Sequence, residues 1–447
     1  MIGRLFQWIE ASPPRVLVFG FAAVIALGTA LLRLPAMAAD GRPTPFIDAL
    51  FTAVSAVCVT GLTPLDIAGH WSFAGQLTIL ALVQIGGLGF MTLATMAAIF
   101  LRRRITLRER LILQESFNQS SIEGIVRLVL KVIRYTLVLE SVGALLLTVR
   151  FLFDMPPERA VWFGIFHAVS FFNNAGFDLM GGFRSLTGYV GDPAVTLVTA
   201  FLALAGGLGF VVLSDLAEYR KTRRLSLHSR VVIATSVVLI LTGTVVIFLF
   251  EFANRATLAG LGFGEKLLAA FFQAVVPRSV GVSTLDIGAM RQATQFLLVI
   301  LMFIGASPGS TGGGIKTTTF AVLAGAVWSM IRGREDVVLF RYRLAQERVY
   351  KALTITLFAL AVLTAGTMLL SVTEDRQFLM ILFEAASAFG SVGLSMGLTP
   401  ELSTAGKIIV ILLMFIGRLG PLTLAYALGT RQRRPLYRYA EGKIIIG

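Results

Sequence analysis

Four passages of this chain carry a glycine in one shared frame, and the chemistry they could supply comes from backbone rather than side chains. They read Phe51-Thr-Ala-Val-Ser-Ala-Val-Cys-Val-Thr-Gly61-Leu62, Phe166-His-Ala-Val-Ser-Phe-Phe-Asn-Asn-Ala-Gly176-Phe177, Phe272-Gln-Ala-Val-Val-Pro-Arg-Ser-Val-Gly281-Val282 and Phe383-Glu-Ala-Ala-Ser-Ala-Phe-Gly-Ser-Val-Gly393-Leu394. The glycines lie 115, 105 and 112 residues apart. Each passage reads as a short apolar helix closed by a Gly, the residue that reaches φ > 0 freely. Four such turns around an axis would aim carbonyl oxygens at it, which can replace a cation's hydration shell. The partly negative C-terminal ends of the short helices would add to the attraction. The candidate cation-binding turns are therefore Val59, Thr60 and Gly61; Asn174, Ala175 and Gly176; Ser279, Val280 and Gly281; and Ser391, Val392 and Gly393.

A second small-residue motif follows each turn: Gly86-Gly-Leu-Gly-Phe90, Gly206-Gly-Leu-Gly-Phe210, Gly305-Ala-Ser-Pro-Gly309 and Gly417-Arg-Leu-Gly-Pro421. The third continues as Gly305-Ala-Ser-Pro-Gly-Ser-Thr-Gly-Gly-Gly-Ile-Lys316, too rich in Gly and Pro for an ordinary helix. A phosphate loop does not fit, because Ile315 separates Gly314 from Lys316 and no strand precedes it. A loop at mid-membrane depth beneath a cation site reads as a gate, with Gly305, Ser307, Gly309, Gly312, Gly313, Gly314 and Lys316 as its candidate residues. Lys316 would oppose a cation there, or else snorkel to the interface. Arg418 stands inside the last apolar segment at the place of Gly87 and Gly207. An Arg at that depth costs about 2.5–3.5 kcal/mol on insertion scales, so it should face a polar interior. It reads as part of the gate, the alternative being an ion pair with Glu140 or Glu384. Glu140 is a further intramembrane ionisable group, with no partner evident from the sequence.

The elements that hold these residues follow from composition. Of 447 residues, 56% are hydrophobic and 14% charged, against about 25% charged in a soluble domain. Eight long apolar segments stand out: 16–34, 77–101, 128–149, 194–213, 231–250, 296–331 (interrupted), 352–372 and 408–428. Shorter apolar stretches at 46–57, 161–172, 266–276 and 378–389 suit re-entrant helices. With both termini and the connections after segments two, four and six on one side, that side collects 26 of the 39 basic residues. The positive-inside rule makes it cytoplasmic. The net charge of +14 is thereby largely topological and no argument for nucleic acid. One cysteine, Cys58, permits no intrachain disulfide, and His70, His167 and His228 show no metal-ligand spacing. The fold class expected is an all-α membrane protein of four membrane–pore helix–membrane repeats around a central pore. The expected divisions are 1–101 (short helix 46–57, turn 58–62), 125–217, 229–331 with the loop 305–316, 349–430, and a cytoplasmic tail at 431–447. Every repeat runs in the same direction across the membrane, which favours a pore over the inverted repeats of many secondary transporters. With no phosphate loop or cytosolic catalytic domain, the chain reads as neither a pump nor an enzyme.

These motifs together resemble the Ktr/Trk/HKT superfamily of potassium transport subunits, over nearly the whole chain. The resemblance is carried by Val59-Thr-Gly-Leu-Thr-Pro64, Asn173-Asn-Ala-Gly-Phe177, Arg278-Ser-Val-Gly281, Gly390-Ser-Val-Gly-Leu394, Gly309-Ser-Thr-Gly-Gly-Gly-Ile-Lys-Thr317 and Phe415-Ile-Gly-Arg418. The third passage departs from the family's pattern, with Pro277-Arg-Ser-Val-Gly-Val282 where Thr-Arg-Thr-Ala-Gly-Phe is expected. The resemblance implies a potassium filter at Gly61, Gly176, Gly281 and Gly393, with Gly61 favouring potassium over sodium, and an obstructing loop below it. The early first span and the ending Glu441-Gly-Lys-Ile-Ile-Ile-Gly447 are most similar to the Ktr branch. That branch implies uptake across the bacterial plasma membrane, a homodimer, and a cytosolic octameric ring of RCK-domain subunits binding ATP or ADP. The ring would dock on 102–124, 214–230, 331–350 and 430–447, surfaces that anionic membrane lipids could also contact. Potassium is the substrate implied, with sodium as co-ion or activator left open, and no nucleotide in this chain.

Overall fold

The computed structural model describes residues 12–101, 105–116, 124–420 and 423. The expected tail 431–447, both termini and parts of the basic loop 102–124 lie outside these. The described chain is helical apart from one antiparallel hairpin, β1 (Val338–Leu339) with β2 (Tyr342–Arg343).

The longer helices fall into four successive groups. The first holds α1 (Pro13–Leu32), α2 (Phe46–Val57), α3 (Phe73–Leu88) and α4 (Phe90–Phe100), and α5 (Leu107–Ser116) follows it. The second holds α6 (Ile125–Phe151), α7 (Pro157–Phe172), α8 (Pro193–Leu208) and α9 (Phe210–Thr222). The third holds α10 (Leu227–Glu251), α11 (Phe263–Val275), α12 (Gln292–Phe303) and α13 (Thr317–Ile331). The fourth holds α14 (Gln346–Thr373), α15 (Phe378–Gly390) and α16 (Thr404–Leu419).

Sequence explains which faces turn inward. Along α10 the buried residues include Val232, Ser236, Ile240, Gly243, Ile247 and Glu251, a stripe at three- and four-residue steps. The opposite face exposes Val238, Leu241, Val245 and Leu249. An apolar face left uncovered is what a helix bordered by lipid requires. Helices α6 and α14 repeat the pattern. Each long helix also carries one glycine that receives a leucine from the second long element of its group. A Cβ placed on Gly28 would lie 2.7 Å from Leu82, on Gly143 2.7 Å from Leu202, on Gly243 3.3 Å from Leu301, and on Gly366 2.7 Å from Leu413. These are knobs seated in holes that only a missing side chain provides.

The short helices α2, α7, α11 and α15 form the centre, and their last turns are almost wholly buried. Contacts between groups close on themselves: α3 packs on α7, α8 on α11, α12 on α15, and α16 returns to α2.

Among the described residues four helices, α1, α6, α10 and α14, are long and apolar enough to cross a membrane, or up to six spans if each bent pair counts as one. Of the eight apolar segments read from the sequence, the sixth was read as interrupted, and the second and fourth are broken as well. Segments two and four break into α3/α4 and α8/α9, bent by 93° and 102°. The bends fall at Gly89 (φ 80°, ψ 132°) and Gly209 (φ 93°, ψ 143°). Gly420 has the same conformation (φ 83°, ψ 136°) and ends α16. The final Gly of the first two motifs is thus a corner, in backbone space that side chains disfavour. Segment six is two short helices, α12 and α13, on either side of the glycine-rich loop.

Candidate functional site

The four turns meet. Gly61, Gly176, Gly281 and Gly393 have φ of 90°, 71°, 76° and 95°. A Cβ added to Gly176 would lie 2.7 Å from the carbonyl oxygen of Val280, and one on Gly281 would lie 2.5 Å from that of Val392. On Gly393 it would strike the carbonyl oxygen of Thr60, and on Gly61 that of Ala175. Each glycine therefore faces the carbonyl before the next one, and the circuit 61–176–281–393 closes. No side chain fits inside it.

Two features of the turns were not legible in the glycines. Two residues before each one, Val59, Asn174, Ser279 and Ser391 also take positive φ, of 50°, 58°, 89° and 50°. Left-handed backbone at non-glycine residues is uncommon and, for a β-branched one such as Val59, an outlier. What holds it is a serine in the short helix. Ser55 Oγ accepts from Gly61 N at 3.0 Å and Ser387 Oγ from Gly393 N at 3.0 Å. Ser170 Oγ donates to Phe177 O at 2.7 Å. The signal was the recurring Ala-Val-Ser or Ala-Ala-Ser, which the third passage lacks, having Val276 in place of the serine. There a 3₁₀ turn at Val276–Arg278 takes over, and Ser279 Oγ donates to Ser391 O at 2.7 Å, joining turns three and four.

The first glycine of the small-residue motif abuts the same core. A Cβ on Gly86, Gly206 or Gly417 would run into the carbonyl oxygen of Val57, Phe172 or Phe389, each four residues before its turn's glycine. Gly305 breaks the series by packing on Gly313 of its own loop.

The glycine-rich loop lies against this core and is tied down along its length. Ser307 N donates to Gly207 O at 3.0 Å, Thr311 N to Gly206 O at 3.2 Å, and Gly313 N to Ser279 Oγ at 3.3 Å. In return Phe210 N donates to Gly309 O at 2.9 Å. Ser307 and Thr317 hydroxyls join at 2.9 Å, and a bridge pairs Ile304 with Ile315. Lys316 turns back to donate from Nζ to Gly312 O at 2.7 Å, so it folds onto the loop. Gly309 and Gly314 take positive φ of 64° and 74°.

Arg418 reaches across to this loop. Its guanidinium donates to the carbonyl oxygens of Thr311 and Gly86, and at 3.4 Å to that of Gly87. The ion pair with Glu140 or Glu384 considered from the sequence is not formed. Glu384 accepts from the hydroxyls of Ser395 (2.7 Å) and Thr399. Glu140 accepts from the amides of Asn173 and Gln84 at 2.9 and 3.3 Å. Among the described residues no cluster of His, Cys, Asp or Glu could hold a metal ion. Just past the second turn, burial and the like charge of Asp66 push the carboxyl of Asp178 up to about 6, although Met180 N–H stabilises its ionised form.

Residues 19–431 match the TrkH family, described as cation transport protein. The chain is 41% identical, over 99% of both proteins, to "Ktr system potassium uptake protein B" of Bacillus subtilis strain 168. The chain belongs to the TrkH family of cation transport proteins. It is thus a multi-pass plasma-membrane protein and not an enzyme. It is also 39% identical to "Potassium/sodium uptake protein NtpJ" of Enterococcus hirae, over 98% of this chain and 97% of that one. The crystal structure of the potassium transporter TrkH from Vibrio parahaemolyticus superposes with a TM-score of 0.71, covering 92% of this chain and 83% of the other. At 21% identity that likeness concerns the fold.

Proposed function

We propose that this chain takes up potassium across the bacterial plasma membrane through the ring of turns at Gly61, Gly176, Gly281 and Gly393. The observation that carries the reading is the closed circuit, in which each glycine faces the carbonyl before the next. Backbone packed this tightly and buried at the centre of a membrane protein serves to line an ion path. The names of the relatives supply the ion. The chain is read as four membrane–pore helix–membrane repeats with eight spans and cytoplasmic termini. The loop 305–316 and Arg418 form the gate, in its closed arrangement here: the loop hangs from α8 of the second group, and Arg418 fastens it to the fourth and first. Lys316 lies beneath the path with its Nζ held by Gly312 O of the same loop. A homodimer and a nucleotide-binding RCK ring on the cytoplasmic loops complete the proposed system.

The test is growth of a potassium-uptake-deficient bacterium at low potassium, with and without a ring subunit, together with uptake of potassium and sodium by purified protein in vesicles. Rescue with potassium-selective uptake supports the reading. Uptake that does not distinguish the two ions favours the sodium-permeable alternative, which the name of the Enterococcus hirae relative raises. No uptake of either ion refutes both.

A further inference from the structure

Glu140 is the buried acidic side chain that the reading above leaves unused. It lies on the inward stripe of α6 and is 8% exposed. Among the described residues it forms no ion pair, and its two oxygens accept from amides on two different helices. Asn173 Nδ2 reaches Oε1 at 2.9 Å, and Gln84 Nε2 reaches Oε2 at 3.3 Å. The amides also join each other, Asn173 Nδ2 to Gln84 Oε1 at 2.8 Å. A carboxylate withdrawn from water persists only where such donors meet it.

Position gives the cluster its meaning. Asn173 caps the C-terminus of α7, three residues before Gly176, and is fully buried. Its side chain fills the space beside Gly87, where an added Cβ would lie 2.8 Å from the Asn173 Cβ. Gly86 and Gly87 supply the carbonyls that receive Arg418. One amide thus touches the entrance to the second turn and the seat of the arginine. The equivalent places before the other glycines hold Cys58, Arg278 and Gly390, none of them an amide.

We propose that Glu140 is a positioning residue for ion discrimination: it fixes the Asn173 side chain, and through it the second turn and the Gly86–Gly87 backbone. The proposal rests on the turns being the ion-selective element. Asn173 Nδ2 has more acceptors than hydrogens, while its Oδ1 has no partner. Glu140 Oε1, Gln84 Oε1 and Val169 O together hold the nitrogen on that side, and Glu140 is the one of the three that belongs to an ionisable group. With a glutamine at 140 its share of that hold is lost, because an amide offers a donor as readily as an acceptor.

The experiment is potassium and sodium uptake by purified full-length protein in vesicles, for Glu140→Gln, Asn173→Ala, the double variant, Gln84→Leu and Gly61→Ser. The potassium-to-sodium ratio is expected to fall roughly three- to fivefold in Glu140→Gln, the size of one ordinary hydrogen bond. Asn173→Ala should show a fall of similar size, with no further fall in the double variant, since one residue acts through the other. Additive falls overturn the proposal, as does an unchanged ratio in Glu140→Gln while Gly61→Ser alters it. If Gly61→Ser also leaves the ratio unchanged, the reading of the turns themselves fails. If Glu140→Gln does not fold, Asn173→Ala, which removes the side chain through which Glu140 acts, decides: an unchanged ratio there overturns the proposal, as does a fall of the same size in Gln84→Leu, which leaves the Glu140–Asn173 bond in place.

Discussion

Replacing Arg418 tests the gate most directly. Its guanidinium joins the loop, through Thr311 O, to the backbone at Gly86 and Gly87. Of the Arg418 contacts, only the one to Thr311 must break for the loop to leave. A hydrogen bond to a charged group contributes about 1.5–3 kcal/mol. Removing it should favour the open loop by roughly 10- to 150-fold, since each 1.4 kcal/mol is tenfold. The assay is potassium efflux from loaded vesicles without any ring subunit. Arg418→Ala should raise this basal flux until the open state dominates, with the potassium-to-sodium ratio preserved because the four turns are untouched. Arg418→Lys separates two causes. It keeps the positive charge, but a single ammonium cannot span both Thr311 and the Gly86–Gly87 carbonyls. A rise in both variants assigns the effect to the clamp, and a rise in Arg418→Ala alone assigns it to electrostatic repulsion of the cation. Unchanged basal flux in both, at normal protein yield, refutes the reasoning.

Gly61→Ser should lower the potassium preference, because the new Cβ meets the Ala175 carbonyl and the φ of 90° strains any side chain; the concentration dependence of uptake for both ions reads it. Removing Ser307 to Gly313 should leave a folded protein that leaks potassium independently of the ring, and vesicle flux that falls or stays nucleotide-dependent would place the gate elsewhere. Gly143→Leu should destabilise by about 1–3 kcal/mol through overpacking against Leu202, seen as a lower melting temperature in detergent. Lowering external pH from 7 to 5 should neutralise Asp178, whose carboxyl titrates at about 6, and slow uptake at low potassium; Asp178→Asn should already be slow at pH 7 and lose that dependence.

The four glycine turns and the interrupted sixth segment were legible because they are local: a repeated frame in one case, a cluster of Gly and Pro in the other. The serines supporting the turns were equally local and could have been found by comparing the frames, which would also have singled out Val276 as the exception. The acceptors of Arg418 could not. Thr311 and Gly86 lie 107 and 332 residues away, and nothing in a sequence marks a backbone carbonyl as a partner. The sequence therefore offered only carboxylates, and both proved to be engaged with neutral donors. The corners at Gly89 and Gly209 were hidden for the opposite reason, since unbroken hydropathy across them reads as one straight span.

The corner at Gly209 has a mechanical consequence. Beyond it α9 runs for 13 residues, an arm of roughly 20 Å at 1.5 Å per residue. Its far part is anchored by the ion pair of Glu218 with Lys131 and by Asp215, which accepts from Ser226 and Ser229 hydroxyls at 2.6 Å. At its root, Phe210 N holds Gly309 O of the loop at 2.9 Å. The geometry is that of a crank with a long arm and a short throw. Moving the tip by about 3 Å turns such an arm through roughly 9°, yet displaces atoms beside the pivot by only about half an ångström. That is enough to stretch one hydrogen bond past its useful length. A coarse push on the far end of α9 would thereby become a fine release at the loop, while the carbonyls of Gly206 and Gly207, on the near side of the pivot, would stay still.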